Sequence, residues 1–224
     1  MGLTLARPKH PAKYTDKLLP VFADILRHHG AKSVLDPMAG VGKIGMLRLH
    51  GFNGRIVANE IEPEWAHQAP EWVEVHVGDA ADMVWAKDGE FHAIVTSPTY
   101  GNRMADHHHA RDGSKRYTYK HCLGRDLHPA NTGQMQWGKA YRDAHRRIWK
   151  ECIRVIRPGG VFIVNVKNHI RNGEIVRVSE WHAQTLGYLG LRLIDRVKVA
   201  CPGMRNGANA HLRVSHEDVW IFER

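Results

Sequence analysis

Ala31-Lys32-Ser33-Val34-Leu35 runs into Asp36-Pro37-Met38-Ala39-Gly40-Val41-Gly42, then into the pattern Ile44, Met46, Leu47, Leu49 closed by Gly51. An apolar run, a glycine loop and a helical spacing, in that order, read as strand, tight turn and helix. Gly40 and Gly42 let the backbone approach a ligand closely, and a helix start offers free N–H groups and a positive dipole end. About twenty residues beyond Gly40, the strand Arg55-Ile56-Val57-Ala58 ends at Asn59-Glu60, a carboxylate suited to both hydroxyls of a ribose. A third strand from Trp72 to Val77 ends at Gly78-Asp79-Ala80, placing Asp79 and Ala80 where an adenine ring ends up.

Gly40-Val41-Gly42-Lys43-Ile44-Gly45 also satisfies the dinucleotide pattern G-x-G-x-x-G, with Glu60 as the ribose acid. Asp36-Pro37 at the strand end argues against a nicotinamide cofactor, and so does the next motif. Phe91-His92-Ala93-Ile94-Val95-Thr96 reads as a buried strand that leads directly into Ser97-Pro98-Thr99-Tyr100. An exocyclic amine on a nucleobase is a poor nucleophile because its lone pair is delocalised into the ring. Two acceptors aimed at its two N–H bonds pull the nitrogen toward a tetrahedral shape. The Ser97 oxygen and the Pro98 carbonyl can serve, since proline contributes an acceptor without a donor. Tyr100 can stack on the base and offset the cost of unstacking it from a nucleic acid. The plain alternative for these four residues is a strand-to-loop turn.

Asp36-Pro37-Met38-Ala39-Gly40-Val41-Gly42 resembles the DPxxGxG cofactor loop, and Ser97-Pro98-Thr99-Tyr100 the (D/N/S)PP(Y/F) catalytic motif, of the S-adenosylmethionine-dependent amino-methyltransferases of DNA adenine or cytosine. The resemblance runs from about residue 10 to residue 224 and keeps the family's motif order. It implies an α/β, class I methyltransferase-like fold: a doubly wound, mostly parallel seven-stranded sheet with an antiparallel last strand, in a three-layer sandwich. By the same resemblance Asp36, Met38, Ala39, Gly40 and Gly42 meet the methionine part of S-adenosylmethionine, Glu60 its ribose, and Asp79 with Ala80 its adenine. Lys13-Tyr14-Thr15 is similar to the family's N-terminal piece, which closes over the methionine carboxylate; on the residues alone, Thr15 caps a helix starting at Lys17-Leu18-Leu19. The one departure is Thr99 in place of the second proline, which loosens the corner and adds a hydroxyl.

With 224 residues, 43% of them apolar, the chain suits one domain with a sizeable core, and strands alternating with helical stretches imply a parallel sheet. Further elements read as a helix from Lys139 to Ile156 stopped by Arg157-Pro158-Gly159-Gly160, a strand Val161–Val166, a helix Val178–Leu189, and strands Leu191–Val199 and Asp218–Phe222. Thirty-two Lys and Arg against 23 Asp and Glu give a net charge of +9, for which a phosphate backbone is the natural counter-surface. Between Gly101 and Arg147 stand ten Lys and Arg against four Asp, interleaved with Tyr117, Tyr119, Trp137 and Tyr141. Directly after a catalytic corner this reads as a substrate-binding insertion at 101–138, with Asn102, Arg103, Arg111, Lys115 and Arg116 as contacts. A second loop at 201–215 carries Arg205, Asn206 and Arg213.

His107-His108-His109, with His121, Cys122 and His128 nearby, invites a zinc site, but adjacent histidines do not easily share one ion and no C-x-x-C pair is present, so no metal is expected. Three cysteines suit a reducing compartment, and no leader or membrane span is visible, so a cytoplasmic protein is expected. The activity expected is direct in-line methyl transfer to the N4 of cytosine or the N6 of adenine on a flipped-out DNA base. The absence of a Pro-Cys pair separates it from carbon-five cytosine methylation. RNA is the closer rival substrate. A protein glutamine amide is a more distant one, and a non-catalytic nucleic-acid binder with a degenerate cofactor fold is the alternative from another class. Oligomeric state leaves no trace in the sequence.

Overall fold

The computed structural model describes residues 9–12, 15–105, 117–201, 210–212 and 214–224, with only the backbone at 103 and 210. In chain order its elements are α1 (Leu18–His28), β1 (Ser33–Asp36), β2 (Arg55–Glu60), α2 (Pro63–Ala66), β3 (Glu74–Val77), β4 (Phe91–Thr96), α3 (Tyr119–Leu123), α4 (Lys139–Val155), β5 (Ile156–Val166), β6 (His169–Arg171), β7 (Glu174–Val176), α5 (Val178–Tyr188), β8 (Arg192–Ala200) and β9 (His216–Glu223). Seven strands form one sheet in the order β3-β2-β1-β4-β5-β9-β8, while β6 and β7 make a separate hairpin. The pairs from β3 to β5 are parallel, and β9 runs antiparallel to both β5 and β8. The closing strands thus form the antiparallel edge that the family resemblance implies, with β8 outermost.

Side chains alternate along these strands and so build two cores. Val34, Ile56, Ala93, Val95, Ile163 and Ile221 face α1, which contributes Leu18, Leu19, Phe22 and Leu26. Their neighbours Leu35, Val57, Ile94, Phe162, Val164 and Phe222 face α4 and α5. In α4 the buried Tyr141, His145, Ile148, Trp149, Cys152 and Val155 follow the three-to-four residue helical repeat, while Arg142, Arg146, Arg147 and Lys150 stay outside that set. The result is a three-layer sandwich. Among the described residues no helix is long and apolar enough to cross a membrane.

One local expectation is refined and one corrected. The segment after the glycine loop is helical as read, Lys43–His50 winding as a 3-10 helix closed by Gly51 at φ 82°. With three residues per turn, Ile44 and Leu47 share the buried side, and Leu49 is left 74% exposed. Thr15 does not cap α1 with its side chain: Lys17 holds the N-cap position, and only the Thr15 backbone carbonyl accepts the Leu18 N–H, at 3.0 Å.

Phe162 lies fully buried at mid-sheet whereas Tyr188 is 91% exposed. Phe162→Ala is expected to lower unfolding free energy by about 4 kcal/mol, and Tyr188→Ala by less than about 0.5 kcal/mol, measured by denaturant titration.

Candidate active site

The chain winds outward from β1 in one direction through β2 and β3 and in the other through β4 and β5, so a crevice opens between β1 and β4 at their carboxyl ends. A cavity of about 270 Å³ occupies it, lined by the turns after β1, β2, β3 and β4, by His10–Ala12, and by Ala130–Thr132. Asp36, Met38, Ala39, Glu60, Asp79, Ala80, Ser97, Pro98, Tyr100 and Asn102 all line this one space. Ten of the thirteen residues singled out from the sequence whose side chains are described are therefore brought together, from positions as far apart as 36 and 102.

The glycine loop is held by the end of β2. Ala39 N–H donates to the Asn59 carbonyl at 3.0 Å, and Gly40 N–H donates to Glu60 Oε2 at 2.8 Å. Asn59 Nδ2 also donates to the Pro37 and Gly78 carbonyls at 3.2 and 3.0 Å, tying the turns after β1 and β3 to each other. Gly42 sits at φ 69°, and a Cβ there would fall 2.5 Å from the Ala69 Cβ; one at Gly40, φ 56°, would meet the His10 ring at 3.0 Å. Glycine is required at both.

Burial drives the Glu60 carboxyl up to about 7, against the lowering effect of its bonds from the Glu62 and Gly40 amides. Each of its oxygens takes one backbone N–H, which leaves acceptor capacity for ligand hydroxyls. Asp36 accepts from Met38 N–H at 3.2 Å, and Asp79 from Ala81 N–H at 2.9 Å. Trp65, which the sequence reading passed over, lines the cavity and carries a buried indole N–H with no partner among the described residues. A ribose carboxylate, a glycine cradle and an orphaned donor around one space fit an adenosyl cofactor. Gly42 takes part through this cradle and does not itself line the cavity.

At the end of β4 the four-residue corner is fixed from several sides. Ser97 Oγ lies 3.1 Å from Tyr100 Oη and receives Asn165 Nδ2–H at 3.4 Å. The buried Pro98 carbonyl receives no hydrogen bond among the described residues. Burial, then the charge of Glu217, hold the Tyr100 phenol well above its ordinary value, so it stays protonated. The expectation that Thr99 loosens the corner is overturned. Its hydroxyl donates to Thr132 Oγ1 at 2.9 Å, and its carbonyl accepts the Tyr141 hydroxyl proton.

Behind Tyr141 the donors run in one direction. Trp149 Nε1–H can only donate, so His182 Nδ1 accepts it at 3.1 Å, and His182 Nε2–H then donates to Tyr141 Oη at 2.8 Å. Burial keeps His182 neutral by lowering its pKa far below the ordinary imidazole value, which that tautomer requires.

The described part of the basic insertion is not structureless. Glu62, with a fully buried side chain, accepts from His128 N–H at 2.7 Å, Asn131 Nδ2 at 2.8 Å and Arg125 Nη2 at 2.8 Å, while Arg125 also pairs with Glu64 at 2.6 Å. Arg125 is thereby spent on holding the segment beside the cavity. Asn102 accepts Met104 N–H at 3.0 Å and turns the chain out of the corner. His121 and His128 serve local turns, through Thr118 Oγ1 and Ala130 N–H. Tyr14, Arg111, Lys115, Arg116, Arg205, Asn206, Arg213, the His107–His109 triplet and the Arg103 side chain lie outside the described residues. Among the described residues no three His, Cys, Asp or Glu side chains gather as a metal ion needs.

Residues 91–224 match the family model for DNA methylases with N6 and N4 specificity. A putative sarcosine dimethylglycine methyltransferase of Galdieria sulphuraria superposes with a TM-score of 0.57 at 11% identity, over 96% of this chain and 92% of that one. For a SAM-dependent methyltransferase of Methanosarcina mazei the values are 0.56 and 13%, over 89% and 96%. For a TehB-like SAM-dependent methyltransferase of Corynebacterium glutamicum they are 0.50 and 17%, over 92% and 86%. At such identities the likeness is one of fold. Comparison with curated protein sequences finds no match.

Tyr141→Phe removes the donor to the Thr99 carbonyl and leaves His182 Nε2–H buried without an acceptor. A loss of about 1–3 kcal/mol of stability is expected in denaturant titration, with no change in secondary structure by circular dichroism.

Proposed function

The chain belongs to the DNA methylase family, and from that premise we propose that it methylates an exocyclic amino group of a DNA base, N4 of cytosine or N6 of adenine. The observation that carries this reading is that the Ser97–Tyr100 corner and the Gly40 loop open into one cavity. S-adenosylmethionine is the cofactor, and when bound it supplies an electrophilic sulfonium methyl. Glu60 accepts its ribose hydroxyls, the Gly40 turn and Asp36 hold the methionine part, and Asp79 with Ala80 receives the adenine.

The base enters against the Ser97 corner, out of its stack. One Ser97 lone pair is taken by Asn165, so Ser97 gives its own proton to Tyr100 Oη and keeps the other lone pair for a substrate N–H. The Pro98 carbonyl, which no other group in the described structure uses, takes the second N–H. With both N–H bonds directed, the nitrogen lone pair is turned toward the methyl. The insertion at 101–138 and the loop at 201–215 hold the phosphate backbone, as the +9 charge suits. The three cysteines are free thiols, in keeping with the cytoplasm.

Labelled S-adenosylmethionine incubated with DNA or RNA, followed by nuclease digestion and mass spectrometry, is expected to give N4-methylcytosine or N6-methyladenine from DNA; label in RNA alone would make the substrate RNA. Ser97→Ala and Tyr100→Ala are each expected to cut transfer by about a hundredfold or more while nucleic-acid binding by gel shift persists. Unchanged activity in both defeats the mechanism.

Glu60 must be ionised to accept two hydroxyls, and burial sets its pKa near the physiological range, at about 7. Ribose donors favour the ionised form, so affinity for S-adenosylhomocysteine is expected to be flat above about pH 8 and to weaken below 7 toward about tenfold per pH unit. Calorimetry across that range checks this; Glu60→Gln is expected to bind weakly and without the slope.

A further inference from the structure

Glu217, the second residue of β9, lines the same cavity as Ser97, though it stands 120 positions beyond it in the chain. Because β9 is antiparallel to β5, its first residues lie at the carboxyl edge of the parallel strands, where the cavity is. Glu217 is 8% exposed, and no cation pairs with it among the described residues. Its neighbour Asp218, by contrast, is neutralised by Arg196 at 2.9 Å and accepts the Ser179 hydroxyl at 2.7 Å. Glu217 receives Asn165 Nδ2–H at 3.1 Å, from the same nitrogen that donates to Ser97 Oγ at 3.4 Å. A carboxylate can only accept, so Glu217 fixes the Asn165 amide with its nitrogen inward, which leaves Asn165 Oδ1 buried and unpartnered. Burying an unpaired carboxylate is costly, and retaining one at a reaction site calls for a chemical use.

Methyl transfer to an amine leaves one proton too many. As the nitrogen lone pair forms the N–C bond and the C–S electron pair stays with sulfur, the nitrogen becomes positively charged and one N–H proton must leave. Ser97 is a hydroxyl, a weak base already hydrogen-bonded to Tyr100 and accepting from Asn165, and the Pro98 carbonyl is no base. We infer, resting on the function proposed above, that Glu217 is the proton acceptor of the reaction: once the nitrogen is charged, one of its two N–H bonds turns from the corner to the Glu217 carboxylate. It supplies from β9 the carboxylate that a serine corner on β4 lacks. The titratable groups facing it are Tyr100 at the end of β4 and Cys201 beyond β8, whose thiol shares a hydrogen bond with it. The proton passes from the methylated nitrogen to the Glu217 carboxylate and on to water once product leaves.

The test is single-turnover transfer to the DNA that the wild type methylates, with S-adenosylmethionine saturating so that cofactor binding does not limit the rate. Glu217→Gln is expected to lower the rate about a hundredfold, while calorimetric affinity for S-adenosylhomocysteine is unchanged. Glu217→Asp, which keeps a carboxylate, is expected to stay within about tenfold of wild type, and Glu217→Ala, with transfer partly restored by added acetate, decides the matter if Glu217→Gln fails to fold. A Glu217→Gln protein with the wild-type rate, a Glu217→Asp protein as slow as Glu217→Gln, or a Glu217→Ala protein that acetate does not restore overturns this role alone. A wild type that methylates no nucleic acid overturns the proposed function and this role with it.

Discussion

Two carboxylates set two residues apart, Glu60 and Glu62, are taken out of water at the end of β2, and neither can stay there without donors. Glu60 finds them in the backbone of the glycine loop and in its own following turn. Glu62 finds them in Arg125, His128 and Asn131, far along the chain. One short stretch therefore fixes the cofactor side of the cavity and the inner end of the insertion on its other side. The arrangement works because an unpaired buried charge costs several kcal/mol, which the donors of the docked segment relieve. Asn59, immediately before, adds the neutral counterpart by bridging the turns after β1 and β3.

The Ser97–Tyr100 corner reaches rigidity by a route unlike that of two consecutive prolines. A second proline ring would restrict the backbone from within. Here Thr99 is restrained from outside, its hydroxyl by Thr132 and its carbonyl by Tyr141, with His182 and Trp149 setting the direction of every proton behind it. Stiffness of this kind depends on α4 and α5 being docked on the sheet. The corner is thus as ordered as the core beneath it.

What could be read from the sequence follows the range of the interactions. The strands, the order of the two motifs and ten of the residues that line the cavity near strand ends were legible because apolar runs, glycines and polar strand termini are local patterns. The 3-10 winding of Lys43–His50 was not, since its spacing of apolar residues also fits an α-helix until burial separates Leu47 from Leu49. Thr99 was misjudged because its partners lie 33 and 42 residues away. Glu62, Trp65 and Asn165 left no local signal at all, and Glu217 only a faint one. A hydrophobic strand carrying an uncompensated acid, as Glu217-Asp218 precedes Val219-Trp220-Ile221-Phe222, was the one available hint.

The central placement of β9 has a bearing on how the molecule is made. On the ribosome β9 emerges after every other strand of the sheet, yet it must insert between β5 and β8 and pair with both. Until then β8 has no neighbour, the faces of Val219 to Phe222 are missing from both cores, and the cavity lacks one wall. Such non-local pairing is slow to close. A nascent chain can therefore assemble strands β1 to β5 with the glycine loop early and close the cavity only when β9 is in place, a built-in delay between synthesis and a complete site.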